Sequence, residues 1–312
     1  MPLNDPTRLL LEKLKTRKSK SIQQMSVSEC RANARSIDGL LNDRLSKIAT
    51  TKEWKVPRLA ETGDILIKQY IPLNWNSRSA IVYFRGSGFI DGDLRGEEAI
   101  YHLLASKTQC AVFAVSYRSA PEHKYPCGLD DAYIATRWVL ENARDLHLDA
   151  KKIIMAGYSS GANFVAVVAQ RLRNADVSIA LQILICPVLD LTCSLPAHQR
   201  NANGYLLTEK LVKWYLNHYL PEGINREDPD ISPLFSKDFN HLPDALIVTA
   251  ELDPLCDDGK LYAEKLKQAG VPVTYTCYLG QVHHMWAFQT ILGEKEKPLD
   301  EVVNFIQTHL AI

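Results

Sequence analysis

Apolar positions along this chain fall into short continuous runs, separated by longer stretches in which they recur at helical spacing. The runs within 64–70, 79–84, 110–117, 153–156, 179–186, 245–250 and 271–279 read as strands. Between them, helical spacing predicts helices over 97–106, 129–143, 259–269 and 299–310, and one after residue 160 with Phe164, Val165, Val167, Val168 and Leu172 on its buried side. Strands alternating with helices predict a mainly parallel sheet covered on both faces. Residues 1–60 read as polar and helical, with Leu9, Leu10, Leu11 and Leu14 early and Ile37, Leu40, Leu41, Leu45 and Ile48 later. They cannot form a core alone, so they are expected to lie over the body as part of a lid. Residues 187–242 break the alternation with a loop-rich insertion that carries one clear helix, from Thr208 to Tyr219.

Composition narrows the class. The 312 residues are 46% hydrophobic, enough for a large core, and acidic and basic residues balance at 36 each. No general field therefore favours nucleic acid or an anionic membrane. The basic cluster Lys13, Lys15, Arg17, Lys18 and Lys20 reads as a solvated helix face. The N-terminal residues show no basic segment followed by an apolar core, and no run approaches the roughly 18 apolar residues of a membrane helix. No signal peptide or integral membrane segment is expected. The seven cysteines are odd in number and scattered, as small hydrophobes in a reducing compartment would be, so a cytoplasmic location is expected. Neither CxxC nor HExxH occurs, and no metal site is expected.

The chemistry concentrates in Gly157-Tyr158-Ser159-Ser160-Gly161, between the apolar run Ile153–Ala156 and a helical pattern. Strand, Gly-x-Ser-x-Gly, helix is the context of a nucleophile elbow. A sharp turn there lifts the Ser159 hydroxyl clear of the sheet, and the helix start aims its amides and positive dipole end at the same spot. Alone, the pentapeptide also fits a plain βα turn with a serine N-cap. A serine nucleophile needs a base, and the base needs a third group to fix its tautomer. Asp253 and His283 follow in the order acid, base, each just beyond a predicted strand, where open α/β sheets place their ligands. Singly, Asp253 before Pro254 fits a turn cap, and His283 or His284 fits a surface histidine. The three together point to acyl transfer.

Four segments resemble the hormone-sensitive-lipase-like group of α/β-hydrolases, which includes many bacterial carboxylesterases. They are Arg85-Gly86-Ser87-Gly88-Phe89 with Gly92-Asp93, the stretch from Tyr117 to Tyr133, Gly157 to Asn163, and Asp253 to Asp257 with His283. The resemblance spans about 62–311. It implies an α/β-hydrolase fold, with a mainly parallel eight-stranded sheet, helices on both faces and a helical cap. The cap would comprise residues 1–60 and the insertion 187–242, and residues 61–312 the catalytic domain. It also implies Ser159 as nucleophile, Asp253 as acid, His283 as base, and the amides of Ser87, Gly88 and Ser160 as oxyanion hole, without cofactor or metal.

The chain departs from the group in three places. Arg85-Gly86-Ser87-Gly88 replaces His-Gly-Gly-Gly, so a permanent cation stands where an imidazole braces the loop; Asp91 or Asp93 is the expected partner for Arg85. Positive φ at Ser87 would cost on the order of 1 kcal/mol. Tyr158 and Ser160 replace the usual Asp and Ala, and His284 a usual glycine. The expected activity is hydrolysis of short- to medium-chain esters, with Phe89, Trp214, Tyr215 and Trp286 as candidate pocket residues. An amide, formamide or lactone hydrolase of the same mechanism is the alternative, as is an impaired small-molecule binding module. Strand 271–279, at a sheet edge in this fold, offers a homodimer contact.

Overall fold

The sheet is built from β1 (Thr50–Pro57), β2 (Asp64–Ile71), β3 (Ala80–Phe84), β4 (Ala111–Ser116), β5 (Ile153–Tyr158), β6 (Leu181–Ile185), β7 (Asp244–Ala250) and β8 (Val273–Tyr278). The computed structural model describes residues 3, 5–15, 25–33, 45–58, 63–91, 93–203, 205–288 and 298–310. Strand order is β1-β2-β4-β3-β5-β6-β7-β8. The β1–β2 and β2–β4 pairs are antiparallel and all others are parallel. The central strands β3, β4, β5 and β6 are buried almost throughout, which is why their sequences run apolar rather than alternating.

Helices cover both faces. On one side, α4 (Cys127–Glu141), α5 (Ser160–Leu172) and α8 (Cys256–Gln268) pack through Leu129, Phe164, Val168 and Leu266. On the other lie α3 (Glu98–Thr108) and α9 (Pro298–Leu310), packed through Ile100, Leu104, Val302 and Ile306. Helix α5 is buried on nearly every side, and each of its large apolar side chains contributes roughly 1.5–3 kcal/mol. It is the rigid support of the turn before it.

The helical reading of residues 1–60 holds only in part. Helix α1 (Asp5–Lys15) and a short helix α2 (27–33) are present, but residues 45–48 are not helical and 50–57 form the edge strand β1. The expected boundary at 60/61 therefore falls inside the sheet, since β1 pairs with β2 along its whole length, from Thr50 with Ile71 to Pro57 with Asp64. An edge strand buries little: Val56 is covered and Trp54 half-covered, its ring tilted against Trp138 and its Nε1 donating to Gln69 Oε1 at 3.0 Å. The charged residues between them hid the period-2 pattern. The other predicted strands and helices are present with ends shifted by up to three residues. Ile37, Leu40 and Leu41 lie outside the described residues.

Polar anchors tie the N-terminal part to the body. Arg31 on α2 donates to Glu122 at 2.7 and 2.8 Å and to the carbonyls of Ile90 and Ala120. The guanidinium holds the Glu122 carboxyl down at about 2. Thr7 on α1 donates to Gln281 Oε1 at 2.8 Å, both side chains being fully covered. Asp131 on α4, fully buried, accepts from Arg58 at 2.9 and 3.1 Å and from the Arg118 amide at 2.8 Å. Asp131→Ala would leave two largely covered guanidiniums without their carboxylate. The expected loss is about 3–5 kcal/mol of unfolding free energy, measured by urea denaturation.

Candidate active site

The turn between β5 and α5 is shaped by two close approaches. A Cβ on Gly161 would overlap the Phe84 carbonyl, and one on Gly157 would lie 2.5 Å from the Gly161 backbone. Only glycine allows the helix start to press on the end of β3 in this way. Ser159 itself sits at φ 54°, ψ −118°, a strained conformation costing on the order of 1–3 kcal/mol. Its amide donates to the Ile185 carbonyl at 2.9 Å, which ties the turn to β6.

Asp253 follows β7 and His283 follows β8, and the structure brings both to Ser159. Asp253 Oδ2 lies 2.7 Å from His283 Nδ1, and His283 Nε2 lies 3.0 Å from Ser159 Oγ. With the Nδ1 proton donated to Asp253, Nε2 presents its lone pair to the serine hydroxyl. Asp253 is fully buried and Oδ1 accepts from the Leu255 amide at 2.9 Å. His284 does not reach Ser159; burial and the neighbouring His283 pull its pKa down to about 3, so it stays neutral. Cys186, Asp253 and His283 also bring three potential ligand atoms within 4.8 Å. Asp253 and His283 are already bonded to each other and Nε2 faces Ser159, which leaves no three donors open to an ion.

The loop after β3 lies against the helix start. Gly88 and Phe89 have positive φ, 59° and 66°, whereas Ser87 does not, so the strain expected at Ser87 does not arise. Among the described residues the Gly88 and Ser160 amides have no hydrogen-bond partner, while the Ser87 amide donates to Ser160 Oγ at 3.0 Å. Arg85 is buried and its Nη1 donates to the Asp93 backbone carbonyl. The Asp93 side chain caps the following turn through the Arg95 amide. Gly92 lies outside the described residues.

A cavity opens over Ser159, walled by Cys30 from α2, by Leu211, Val212 and Tyr215 from α7 (Glu209–Tyr219), and by Val188 and Leu255. Of the four aromatic pocket candidates, Phe89 and Tyr215 line it and two do not. Phe89 also stacks on Tyr219, 3.9 Å between ring centres. Trp214 turns aside to pack on His218. Trp286 is in the core: fully buried, it donates from Nε1 to the Tyr83 hydroxyl at 2.8 Å. Sequence spacing puts Trp286 near His283 but does not say which side of the turn it faces.

A family model described as the alpha/beta hydrolase fold matches residues 81–287. The chain belongs to the α/β-hydrolases. It is 35% identical over 234 residues to an ethyl acetate hydrolase of Pseudomonas putida, covering 74% of each chain. It is 37% identical over 226 residues to a carboxylesterase of Mycobacterium tuberculosis, covering 70% of each. A hyperthermophilic esterase from the archaeon Pyrobaculum calidifontis has the same fold, with TM-score 0.90 and 31% identity over 100% of both chains.

Several residues that brace this α/β-hydrolase site were not among those singled out from the sequence. Glu97, buried behind the glycine-rich loop, accepts from the Gly86 amide at 3.1 Å and from the Tyr83 hydroxyl at 2.8 Å. Asn201, just after the short helix α6 (Pro196–Arg200), donates to the carbonyls of Glu251 and Asp253 at 3.0 and 2.9 Å. Tyr158 donates to the His283 carbonyl at 3.2 Å and lays its ring against the imidazole. Only Tyr158 carried a signal, as a departure beside the serine. Trp286→Phe, which deletes the donor to Tyr83, is expected to cost about 1–3 kcal/mol of stability in chemical denaturation. Its acyl-chain profile should stay that of the wild type, whereas Tyr215→Ala should shift the profile toward longer chains.

Proposed function

We propose that this chain is a serine carboxylesterase that hydrolyses short- to medium-chain esters through an acyl-enzyme. The observation that carries the reading is the unbroken hydrogen-bonded line from Asp253 through His283 to Ser159, at the floor of a largely apolar cavity. Ser159 Oγ attacks the ester carbonyl carbon and its proton passes to His283 Nε2. The carbonyl oxygen becomes an oxyanion beside the amides of Gly88 and Ser160. As the tetrahedral intermediate collapses, the bond to the alcohol oxygen breaks and that oxygen takes the proton from Nε2. Water then attacks the acyl-serine with His283 again as base, and the acid leaves. Asp253 stays ionised throughout and holds the imidazole in its tautomer.

The relatives named as an ethyl acetate hydrolase and a carboxylesterase support ester substrates. The apolar walls from α7 suit acyl groups of modest size, and the substrate is a small-molecule ester. No observation favours an amide, formamide or lactone, and the complete Ser–His–Asp line weighs against a binding module without turnover.

No helix among the described residues is long and apolar enough to cross a membrane. All seven cysteines are free, which suits the cytoplasm. Strand β8 ends the sheet, and we assign its open edge as a pairing site for a second copy, a reading that a monomeric mass in light scattering would remove.

The deciding experiment is steady-state hydrolysis of p-nitrophenyl acetate, butyrate and octanoate by wild type and Ser159→Ala. Ser159→Ala is expected to lower kcat by roughly 10,000-fold or more at unchanged fold. Turnover surviving in a folded Ser159→Ala protein would show that another group does the chemistry.

A further inference from the structure

Proton accounting around the glycine-rich loop singles out the Ser160 hydroxyl. The Tyr117 hydroxyl gives its one proton to the Arg85 carbonyl at 2.9 Å. In its 3.1 Å contact with Ser87 Oγ it must therefore accept, so Ser87 donates there. Ser87 Oγ in turn accepts from the Asp91 amide at 3.3 Å. The Ser87 side chain is thus fully employed beneath the loop. Its amide donates to Ser160 Oγ at 3.0 Å. That hydrogen is the donor which, by chain position, stands next to the free Gly88 amide. Ser87 thus links Ser160, through its amide, to Tyr117, through its hydroxyl, in a short line beside the glycine-rich loop.

We propose that Ser160 is a positioning residue that holds the Ser87 amide out of the oxyanion hole, so that two amides rather than three act on the reacting oxygen. The inference rests on the serine-esterase reading and refines it. One amide can point its hydrogen at one place well. With Ser160 Oγ at 3.0 Å it satisfies the loop in the resting protein, at the expense of the transition state. The backbone amide of Ser160 serves the hole while its side chain withdraws another donor from it. An aligned oxyanion donor is worth roughly 100- to 1000-fold in kcat, so the withdrawal sets a ceiling on rate.

Ser160→Ala removes the competing acceptor. The expected result is a rise in kcat on p-nitrophenyl butyrate of roughly threefold to thirtyfold, less than a full donor because the loop must re-aim its amide. KM should be unchanged, since the oxyanion exists only beyond the ground state. The melting temperature should fall, because the Ser87 amide loses its partner. A brace with no hold on the oxyanion would lower stability and kcat together. Should the alanine variant fold poorly, Ser160→Gly frees the same amide and is expected to move kcat the same way.

A second readout uses p-nitrophenyl diethyl phosphate. Ser159 Oγ bonds to phosphorus, its proton passes to His283, and p-nitrophenolate leaves in a stoichiometric burst while the phosphoryl oxygen takes the oxyanion's place. The burst rate should rise in Ser160→Ala along with kcat. Equal or slower rates in both assays would overturn the proposal while leaving the esterase intact. A wild type with neither turnover nor burst would remove the esterase reading, and this inference with it.

Discussion

The whole site depends on how closely the first turn of α5 lies against the end of β3. Gly161 comes so near the Phe84 and Arg85 carbonyls that no Cβ fits between them, and Gly157 is equally close to Gly161. That contact sets the sharpness of the serine turn. It also sets the place of the glycine-rich loop, because residues 85–88 continue directly from β3. Serine hydroxyl, helix amides and loop amides are thereby brought together by backbone packing before any side chain braces them. The sheet register supplies the rest, since Phe84 pairs with Gly157 and Tyr158 with Ile185.

Around that point, buried polar groups govern the loops. Trp286, Tyr83, Glu97 and the Gly86 amide form one hydrogen-bonded line behind the glycine-rich loop. Asn201 bonds two carbonyls of the acid loop, and Tyr158 bonds a carbonyl of the base loop. A made hydrogen bond contributes only about 0.5–1.5 kcal/mol net, while a buried group left unpaired costs about 1–3. Such lines add little stability, then, but they penalise any other loop arrangement. They act on geometry.

The apolar runs of β3 to β7 and the spacing of α5 made the sheet and the elbow readable, since burial on both faces leaves a continuous hydrophobic signature. Order along the chain put Ser159, Asp253 and a histidine each at a strand's carboxyl end, the resemblance chose His283 over His284, and the structure brings these three side chains together. Strand β1 was missed because an exposed edge strand keeps charged residues on most of its surface. Trp286 was assigned to the wrong side because a short turn after His283 reverses which face a neighbour sees. Asn201 and Glu97 could not be found at all: each braces a backbone group, 50 and 11 residues away, and backbone carries no residue identity.

Helix α7 and the glycine-rich loop share a wall. The Tyr215 ring from α7 covers Gly88 so tightly that a Cβ there would overlap it. Cys30 from α2 in turn touches the Tyr215 hydroxyl, 3.8 Å away. A change in α7 that reshapes the cavity therefore also shifts the surface on which Gly88 rests. Selectivity and rate are mechanically joined here, so evolution toward a different ester would have to retune both elements in concert.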